Sequence, residues 1–227
     1  MNKLNQLNRE IIACRTCPRL VAWREKVAQE KVARFRSDNY WGKPVTGFGD
    51  PQARILIVGL APAAHGANRT GRMFTGDRSG EWLYGTLHNF GLSNKAEASS
   101  ADDGLKLIDC YIAAVVRCAP PENKPTREEI LNCQPYLLKE LKIFNNLKVI
   151  VVLGKIAFDW TIDCVEKLGL KKFERRPKFG HGTELQIGSD LTLIASYHPS
   201  QQNTFTRKLT RQMFEAIFRR AKRLIEQ

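Results

Sequence analysis

The sequence predicts an α/β fold built on a mostly parallel, doubly wound β-sheet. Four short apolar runs are rich in Val and Ile and have no polar alternation, as expected of strands covered on both faces. They span residues 55–60, 111–116, 149–153 and 191–196. Helical patterns lie between them, and strands that alternate with helices favour parallel pairing. The 227 residues are enough for a single domain, 1–227, with a substantial core.

The predicted elements before the last strand follow in chain order. Residues 1–50 are basic and helical, and we expect them to pack as an extension on the domain because they are too short to bury a core alone. Helices are predicted at 79–90, 126–145 and 155–168. The second of these begins with a capping box, Thr126 to Glu129, and Pro135 is expected to kink or break it.

The C-terminal third predicts one departure from parallel pairing and one further helix. Residues 185–195 have the pattern of a hairpin with its turn at 188–190, which makes one strand pair antiparallel. Residues 205–227 form an amphipathic pattern rich in Arg and Lys on its outer face. Its predicted inner face consists of Leu209, Met213, Ile217 and Leu224.

The charge balance favours a polyanionic partner. Lys and Arg number 36 against 23 Asp and Glu, which gives a net charge of +13. Such an excess favours nucleic acid above other partners, although a merely solvated basic surface remains open. No apolar run approaches the roughly 18–20 residues of a membrane span. The N-terminus has no signal-peptide core, so we expect a cytoplasmic protein, close to the nucleoid and without a membrane partner.

Six cysteines in a chain without a secretion signal favour metal binding over a disulfide framework. Cys14 and Cys17 form a CxxC pair, and Cys118 and Cys133 follow with 14 residues between them. This spacing favours an iron–sulfur cluster and leaves zinc and plain core thiols open, because zinc ribbons usually pair two CxxC motifs. The other two, Cys110 and Cys164, lie in apolar segments and are predicted to be buried, inert thiols.

Three unusual loops follow predicted strands. The first, residues 59–77, has glycines at phosphate-loop spacing but no following Lys-Ser or Lys-Thr. The others are residues 117–124 and 197–203. Ligands of open α/β sheets bind beyond the carboxyl ends of the strands. We therefore expect four polar side chains from these loops to face one crevice: His65, Asp77, Asn123 and His198.

The motifs together resemble the iron–sulfur uracil-DNA glycosylases, in particular the family 5, or type B, branch. The matching pieces are GLAPAAHGANRTGRMFTGD, the CxxC, RCAPPENKPT, NCQPYL and YHPSQQNTFT, in family order. The resemblance implies a three-layer α/β/α sandwich and removal of a damaged base from DNA. It also implies a structural [4Fe-4S] cluster held by Cys14, Cys17, Cys118 and Cys133.

Two departures from the better-known members fit the type B branch. The residues after the first strand, Gly59-Leu60-Ala61-Pro62, have no polar side chain where other members carry a carboxylate or Asn. Ala114 stands where related enzymes read uracil with an Asn. Type B members have a broader substrate range, so the expected substrates are uracil and deaminated purines such as hypoxanthine and xanthine.

The resemblance and the chemistry of glycosidic cleavage together predict residue roles. Asp77 is predicted to stabilise the sugar cation and orient water, and it is also positioned to cap the following helix. His198 is predicted to donate to the base carbonyl, and Asn123 to bind the base edge or the water. The flipped base is expected to stack on Phe74. The remaining wall of this pocket is predicted to be Gly59, Leu60, Ala61 and His65.

DNA contacts are expected around this pocket, from Arg69, Ser200, Gln201, Asn203 and Arg207. The predicted activity is that of a monomeric, monofunctional glycosylase that leaves an abasic site. The missing carboxylate after the first strand keeps one alternative open. In that alternative the chain is a non-catalytic, metal-containing module of the same fold that binds damaged DNA.

Overall fold

A computed structural model describes residues 3–227 and contains a single six-stranded sheet in the order β1-β3-β2-β4-β6-β5. Strands β2, β3, β4 and β6 are parallel to one another, which confirms the predicted parallel core. The strands span Phe48–Gly49 (β1), Ile55–Gly59 (β2), Cys110–Ala114 (β3), Val149–Leu153 (β4), Glu184–Gln186 (β5) and Thr192–Ser196 (β6).

Both edge strands are antiparallel to their neighbours. β5 pairs with β6, so the predicted hairpin is confirmed. The strand at the other edge, β1, pairs with β3 through only two residues and was not predicted. A two-residue strand is too short to leave an alternating pattern in the sequence.

Helices cover both faces of the sheet, and this confirms the three-layer sandwich. One apolar core contains side chains of α1, α2, α5 and α6, and the other contains side chains of α3, α4 and α8. The helices span Lys3–Ala13 (α1), Pro18–Glu30 (α2), Ala67–Thr70 (α3), Arg78–Asn89 (α4), Arg127–Ile143 (α5), Lys155–Lys167 (α6), Gln201–Phe205 (α7) and Arg211–Glu226 (α8). None of the helices in residues 3–227 has both the length and the apolar character that a membrane crossing requires.

The expected interruption at Pro135 does not occur, because α5 runs continuously through this residue. A proline inside a helix deprives the carbonyl four residues earlier of its donor. Here that residue is Leu131, which is 42% exposed, so water can replace the missing donor. The capping box is present as predicted: Thr126 accepts from the Glu129 backbone, and Glu129 accepts from the Thr126 backbone.

The C-terminal segment is two helices instead of the one predicted from residue 205. The short α7 ends at Phe205, and Thr210 caps α8 by accepting from the Met213 backbone N–H at 3.2 Å. Met213 and Leu224 are only partly buried and lie at the margin of the apolar face. Its buried residues are Phe214, Ile217, Phe218, Ala221 and Ile225.

The N-terminal segment contributes to the main core and is more than an attachment on it. Leu4 of α1 and Leu20 of α2 belong to the same apolar cluster as the sheet residues Leu56 and Ile150. The tight turn between the two helices contains the CxxC pair. The position of this pair is therefore fixed by helices on both sides.

Candidate active site and cysteine cluster

The three nominated loops meet in one cavity of about 620 Å³ at the carboxyl ends of β2, β3 and β6. This is the edge at which open α/β sheets bind ligands. Nine of the predicted site residues line the cavity: Gly59, Leu60, Ala61, Phe74, Asp77, Asn123, His198, Ser200 and Gln201.

Phe74 forms one wall of this cavity and lies directly against β2. A Cβ at Gly59 would lie 3.0 Å from the Phe74 Cζ, so the last residue of β2 leaves room for the ring. The Phe74 backbone has a φ of 54°, which is uncommon for a bulky residue and is imposed by its surroundings. Its carbonyl packs so closely on Gly80 that a Cβ there would overlap it. Helix α4 thus fixes the ring in place.

Asp77 both caps α4 and lines the cavity. Its Oδ1 accepts from the Gly80 backbone N–H at 3.0 Å. The other oxygen, Oδ2, packs against Gly66, where a Cβ would overlap it. Burial raises the pKa of the Asp77 carboxyl above its ordinary value, while the backbone N–H groups of Gly80 and Ser79 act in the opposite direction. The capping function and the cavity position are therefore compatible.

His198 lies beside Phe74 in the same cavity. The two rings are 5.9 Å apart between centroids, with 27° between their planes. Burial lowers the pKa of His198 to about 4, so the imidazole is neutral at physiological pH. A neutral imidazole has one N–H to donate and one nitrogen that accepts.

Asn123 also lines the cavity, from the end of a short 3₁₀ turn, Pro121–Asn123. Glu122 and Asn123 have φ values of 54° and 57°, in the left-handed region that Asn tolerates well. Glu122 also lines the cavity, but it is largely exposed and is paired with Lys124 at 3.1 Å. The cavity therefore contains one buried carboxylate, Asp77, and one solvated carboxylate.

Two residues of the glycine-rich loop lie away from the cavity. His65 Nδ1 lies 3.1 Å from the Tyr40 hydroxyl. Arg69 is 9% exposed, its Nη1 donates to Asp38 Oδ2 at 2.7 Å, and its guanidinium stacks 3.9 Å from the Phe35 ring centroid. The structure thus gives Arg69 partners inside the protein, in place of the exposed position that a DNA contact requires.

The loop after β6 is organised by its own polar side chains. Ser200 caps α7 by accepting from the Asn203 backbone N–H, and the Asn203 amide donates to the His198 carbonyl at 2.8 Å. Asn203 therefore holds the backbone of His198 and does not line the cavity. Gln201 is exposed at the cavity rim, and Arg207 is exposed beyond α7 with a φ of 57°.

Several lining residues were not nominated from the sequence. Arg78 and Ser79 follow Asp77 directly and form the first turn of α4, so their position follows from the helix start. The full set is Ala63, Met73, Arg78, Ser79, Ala114, Glu122 and Gln202. All of them are near neighbours of nominated residues or lie at a strand end, which is the pattern that could have identified them.

The four nominated cysteines line a separate, small cavity. Cys14 and Cys17 come from the α1–α2 turn, Cys118 follows β3, and Cys133 lies in α5. All six cysteines are free thiols, and Cys110 and Cys164 are buried in the cores as predicted.

Burial raises the pKa of the Cys17, Cys118 and Cys133 thiols, and an N–H donor beside each sulfur acts in the opposite direction. Arg24 Nη1 donates to Cys118 Sγ at 2.8 Å, the Arg117 backbone N–H donates to Cys133 Sγ at 3.3 Å, and Asn132 Nδ2 donates to Cys17 Sγ at 3.6 Å. Hydrogen bonds to sulfur and a buried cation suit a negatively charged group of thiolates. Within residues 3–227, no three or more His, Cys, Asp or Glu side chains are arranged to hold a metal ion.

Comparison with known proteins agrees with the α/β/α sandwich. A family model described as the uracil DNA glycosylase superfamily matches residues 46–222. The match covers more than half of the chain, and the chain belongs to this superfamily.

Relatives within the superfamily define its branch. A type-5 uracil-DNA glycosylase of Thermus thermophilus is 51% identical over 214 residues, 94% of each chain. One of Mycobacterium leprae is 51% identical over 220 residues, 96% of this chain and 94% of the relative. One of Pyrobaculum aerophilum is 43% identical over 211 residues, 93% of this chain and 88% of the relative. The family resemblance noted in the sequence is therefore confirmed.

Proposed function

We propose that this chain is a monofunctional DNA glycosylase that hydrolyses the N-glycosidic bond of uracil in DNA and leaves an abasic site. The observation that carries this proposal is the meeting of Phe74, Asp77, Asn123 and His198 in one cavity at the carboxyl edge of the sheet. The names of the type-5 relatives support the same activity. The cavity volume of about 620 Å³ is ample for one extruded base.

The proposed chemistry assigns charge stabilisation at the sugar to Asp77. Departure of the base leaves positive charge on the sugar, and a nearby carboxylate stabilises that charge. Asp77 is held rigidly because Oδ1 caps α4 and Oδ2 packs on Gly66. The Asn123 amide lines the same cavity and can hold the attacking water or the base edge. This pair of groups compensates for the apolar residues after β2.

His198 is proposed to stabilise the departing base. Its neutral imidazole has one N–H group, which donates a hydrogen bond to a carbonyl oxygen of the base. Phe74 supplies the surface on which the base stacks, and base–aromatic stacking contributes about 1–3 kcal/mol per base. The contact between the two rings, 5.9 Å between centroids, supports the proposal that both act on the same base.

The substrate range proposed for this cavity extends to hypoxanthine and xanthine. Gly59, Leu60, Ala61 and Ala114 line the wall without a side-chain amide that could read the uracil edge. Selection by His198 requires only a carbonyl oxygen, which uracil and both deaminated purines possess.

We propose that Cys14, Cys17, Cys118 and Cys133 hold a structural [4Fe-4S] cluster. Thiolate sulfurs in sets of four are the ligands of such clusters. The N–H donors around Cys17, Cys118 and Cys133 support this assignment. When bound, the cluster cross-links the α1–α2 turn to the segment after β3. We further propose that the enzyme works as a monomer close to the nucleoid. Its net charge of +13 favours binding to the polyanionic DNA.

The proposal is tested by base release from duplex and single-stranded oligonucleotides that each carry one uracil, hypoxanthine or xanthine. We expect free base and an intact backbone. Binding to these duplexes without release of any base would contradict the proposal and indicate a non-catalytic binding module.

Asp77→Asn separates catalysis from helix capping. Asn is as good an N-cap as Asp, so the Gly80 hydrogen bond and the stability are retained. Loss of the negative charge should lower the single-turnover rate by about 10²-fold or more. Glu122→Gln is the matched control, because it removes the solvated carboxylate of the same cavity and should leave the rate close to that of the wild type. Equal rates for Asp77→Asn and the control would remove Asp77 from the mechanism.

A further inference from the structure

A strongly basic loop adjoins the candidate active site and has no part in the chemistry described above. Residues 170–178 read LKKFERRPK, with five cations and one acidic residue. The cations are Lys171, Lys172, Arg175, Arg176 and Lys178, and all five are exposed. We refer to residues 171–178 as the basic loop.

The base of this loop is fixed to the strand that carries His198. Phe179 packs between Phe158 and Tyr197, with ring centroids 5.6 and 5.9 Å away. The His181 Nδ1 accepts from the Tyr197 backbone N–H at 3.2 Å. The C-terminal end of the basic loop therefore lies at the same edge of the sheet as the cavity lined by Phe74, Asp77 and His198, which we call the base cavity.

A second cavity, of about 650 Å³, lies between the basic loop and α6. Its wall contains Arg127, Lys155, Arg176 and Lys178 against Asp159 and Asp163, a net charge of +2. Lys155 pairs with Asp159 and Arg176 pairs with Asp163. Both carboxylates are therefore neutralised. Arg127 and Lys178 have no acidic partner within residues 3–227.

The two cavities are neighbours along the surface. Arg127 begins α5 four residues after Asn123 of the base cavity. Lys155 follows Gly154, and a Cβ at Gly154 would lie 3.4 Å from the Cβ of His198. Positive charge thus extends from Arg127 and Lys155, which lie beside the base cavity, onto the basic loop.

We infer that the basic loop and the second cavity bind the sugar–phosphate backbone of the DNA, on one side of the extruded nucleotide. A polyanion that enters the base cavity must leave along the surface, and this track carries unpaired cations at the same edge. Such contacts are independent of base sequence and release counterions from the DNA. The inference rests on the proposed function, because it describes how the same site binds its DNA substrate.

The test compares two triple variants that each remove three exposed cations and lower the net charge from +13 to +10. Lys172→Gln/Arg175→Gln/Lys178→Gln alters the basic loop and leaves the Arg176 anchor intact. Lys106→Gln/Lys142→Gln/Arg223→Gln is the control, because these residues are exposed near the amino-terminal ends of the strands. The dissociation constant for an abasic-site duplex is measured over a range of salt concentrations.

We expect the slope of log K against log[salt] to become shallower by about two to three units in the loop variant, since each lost phosphate contact contributes close to one unit. The control should keep the slope of the wild type. With duplexes extended on only one side of the abasic site, the loop variant should lose affinity for one polarity and not for the other.

Equal slopes for the two triple variants would overturn the inference. The inference would also be overturned if the loop variant bound DNA as tightly as the wild type but lost affinity for polyglutamate. That result would indicate an acidic protein partner. The binding measurement does not depend on base release. Failure of the proposed activity in the wild type is therefore distinguishable from failure of the loop to contact DNA.

Discussion

Asp77 has both a structural role, as the cap of α4, and a proposed role in the chemistry. The same carboxylate ends the glycine-rich loop, caps α4 and lines the base cavity. A helix cap is among the most restrained positions that a carboxylate can occupy. The restraint suits a group that must stabilise a developing charge without first reorganising.

At the same scale, His198 predicts a specific dependence of stability on pH. Its pKa is about 4 in the folded chain and about 6.5 in an unfolded one. As the pH falls from 6.5 towards 4, only the unfolded state takes up this proton, so stability is lost across that window. The loss amounts to as much as about 3 kcal/mol. The His198→Gln variant should not show this loss of stability at low pH.

The measurement is the free energy of unfolding in urea at pH 7 and pH 4.5. The difference between the two pH values should be smaller in His198→Gln than in the wild type. His88→Gln, at an exposed position of α4, is the control and should match the wild type. An unchanged difference in His198→Gln would contradict the buried, neutral imidazole.

At the scale of the elements, α5 is joined to α2 through its own cap. Glu129 closes the capping box with Thr126 and also accepts from Arg19 of α2, at 2.7 and 2.8 Å. One side chain thus begins a helix and holds a second helix beside it. Two cysteine-bearing segments are fixed relative to each other by this arrangement.

Thr126→Ala should therefore have a local effect beyond its cost in stability. Loss of the cap should lower the unfolding free energy by about 1 kcal/mol. Thr210→Ala, which removes the cap of α8, should cost a similar amount. Amide exchange in α2 should increase in Thr126→Ala and not in Thr210→Ala. Equal exchange in the two variants would show that the capping box does not support α2.

The sequence was sufficient to predict the buried strands and the edge at which their loops meet. It was insufficient for features that depend on distant contacts or on a cap inside an amphipathic run. Buried parallel strands are continuous apolar runs, so all four were identified, and their loops necessarily meet at one edge. The inward turn of Arg69 towards Asp38 depends on a contact 31 residues away, which no local pattern records. The break between α7 and α8 depends on Thr210 as a cap inside a run that remains amphipathic.

At the scale of the whole molecule, the four-cysteine site lies between the N-terminal helices and α5. Cys14 and Cys17 come from the α1–α2 turn, Cys118 precedes α5, and Cys133 lies within α5. Arg117, next to Cys118, forms a fully buried ion pair with Glu140 of α5. Apolar packing attaches the N-terminal layer to the core, and the proposed cluster would add a second attachment.

Replacement of Cys14 by Ser should remove iron and the brown colour and lower the melting temperature. Amide exchange should increase mainly in α1 and α2. Cys164→Ser is the matched control, because that thiol is buried in the same core and lies outside the cysteine cavity. A colourless wild-type protein with stoichiometric zinc would contradict the cluster, as would equal iron content in both variants.

The loop between Cys118 and Thr126 has a consequence for how this protein would respond to oxidants. It presents Asn123 to the base cavity, and it is fixed at one end by Cys118 and at the other by the helix that contains Cys133. Asp77 and His198 are held instead by α4 and by the end of β6. Oxidative loss of iron should thus displace Asn123 selectively and slow base removal before the protein unfolds. Repair capacity would then decline with the oxidant load of the cell, at the time when damaged bases accumulate.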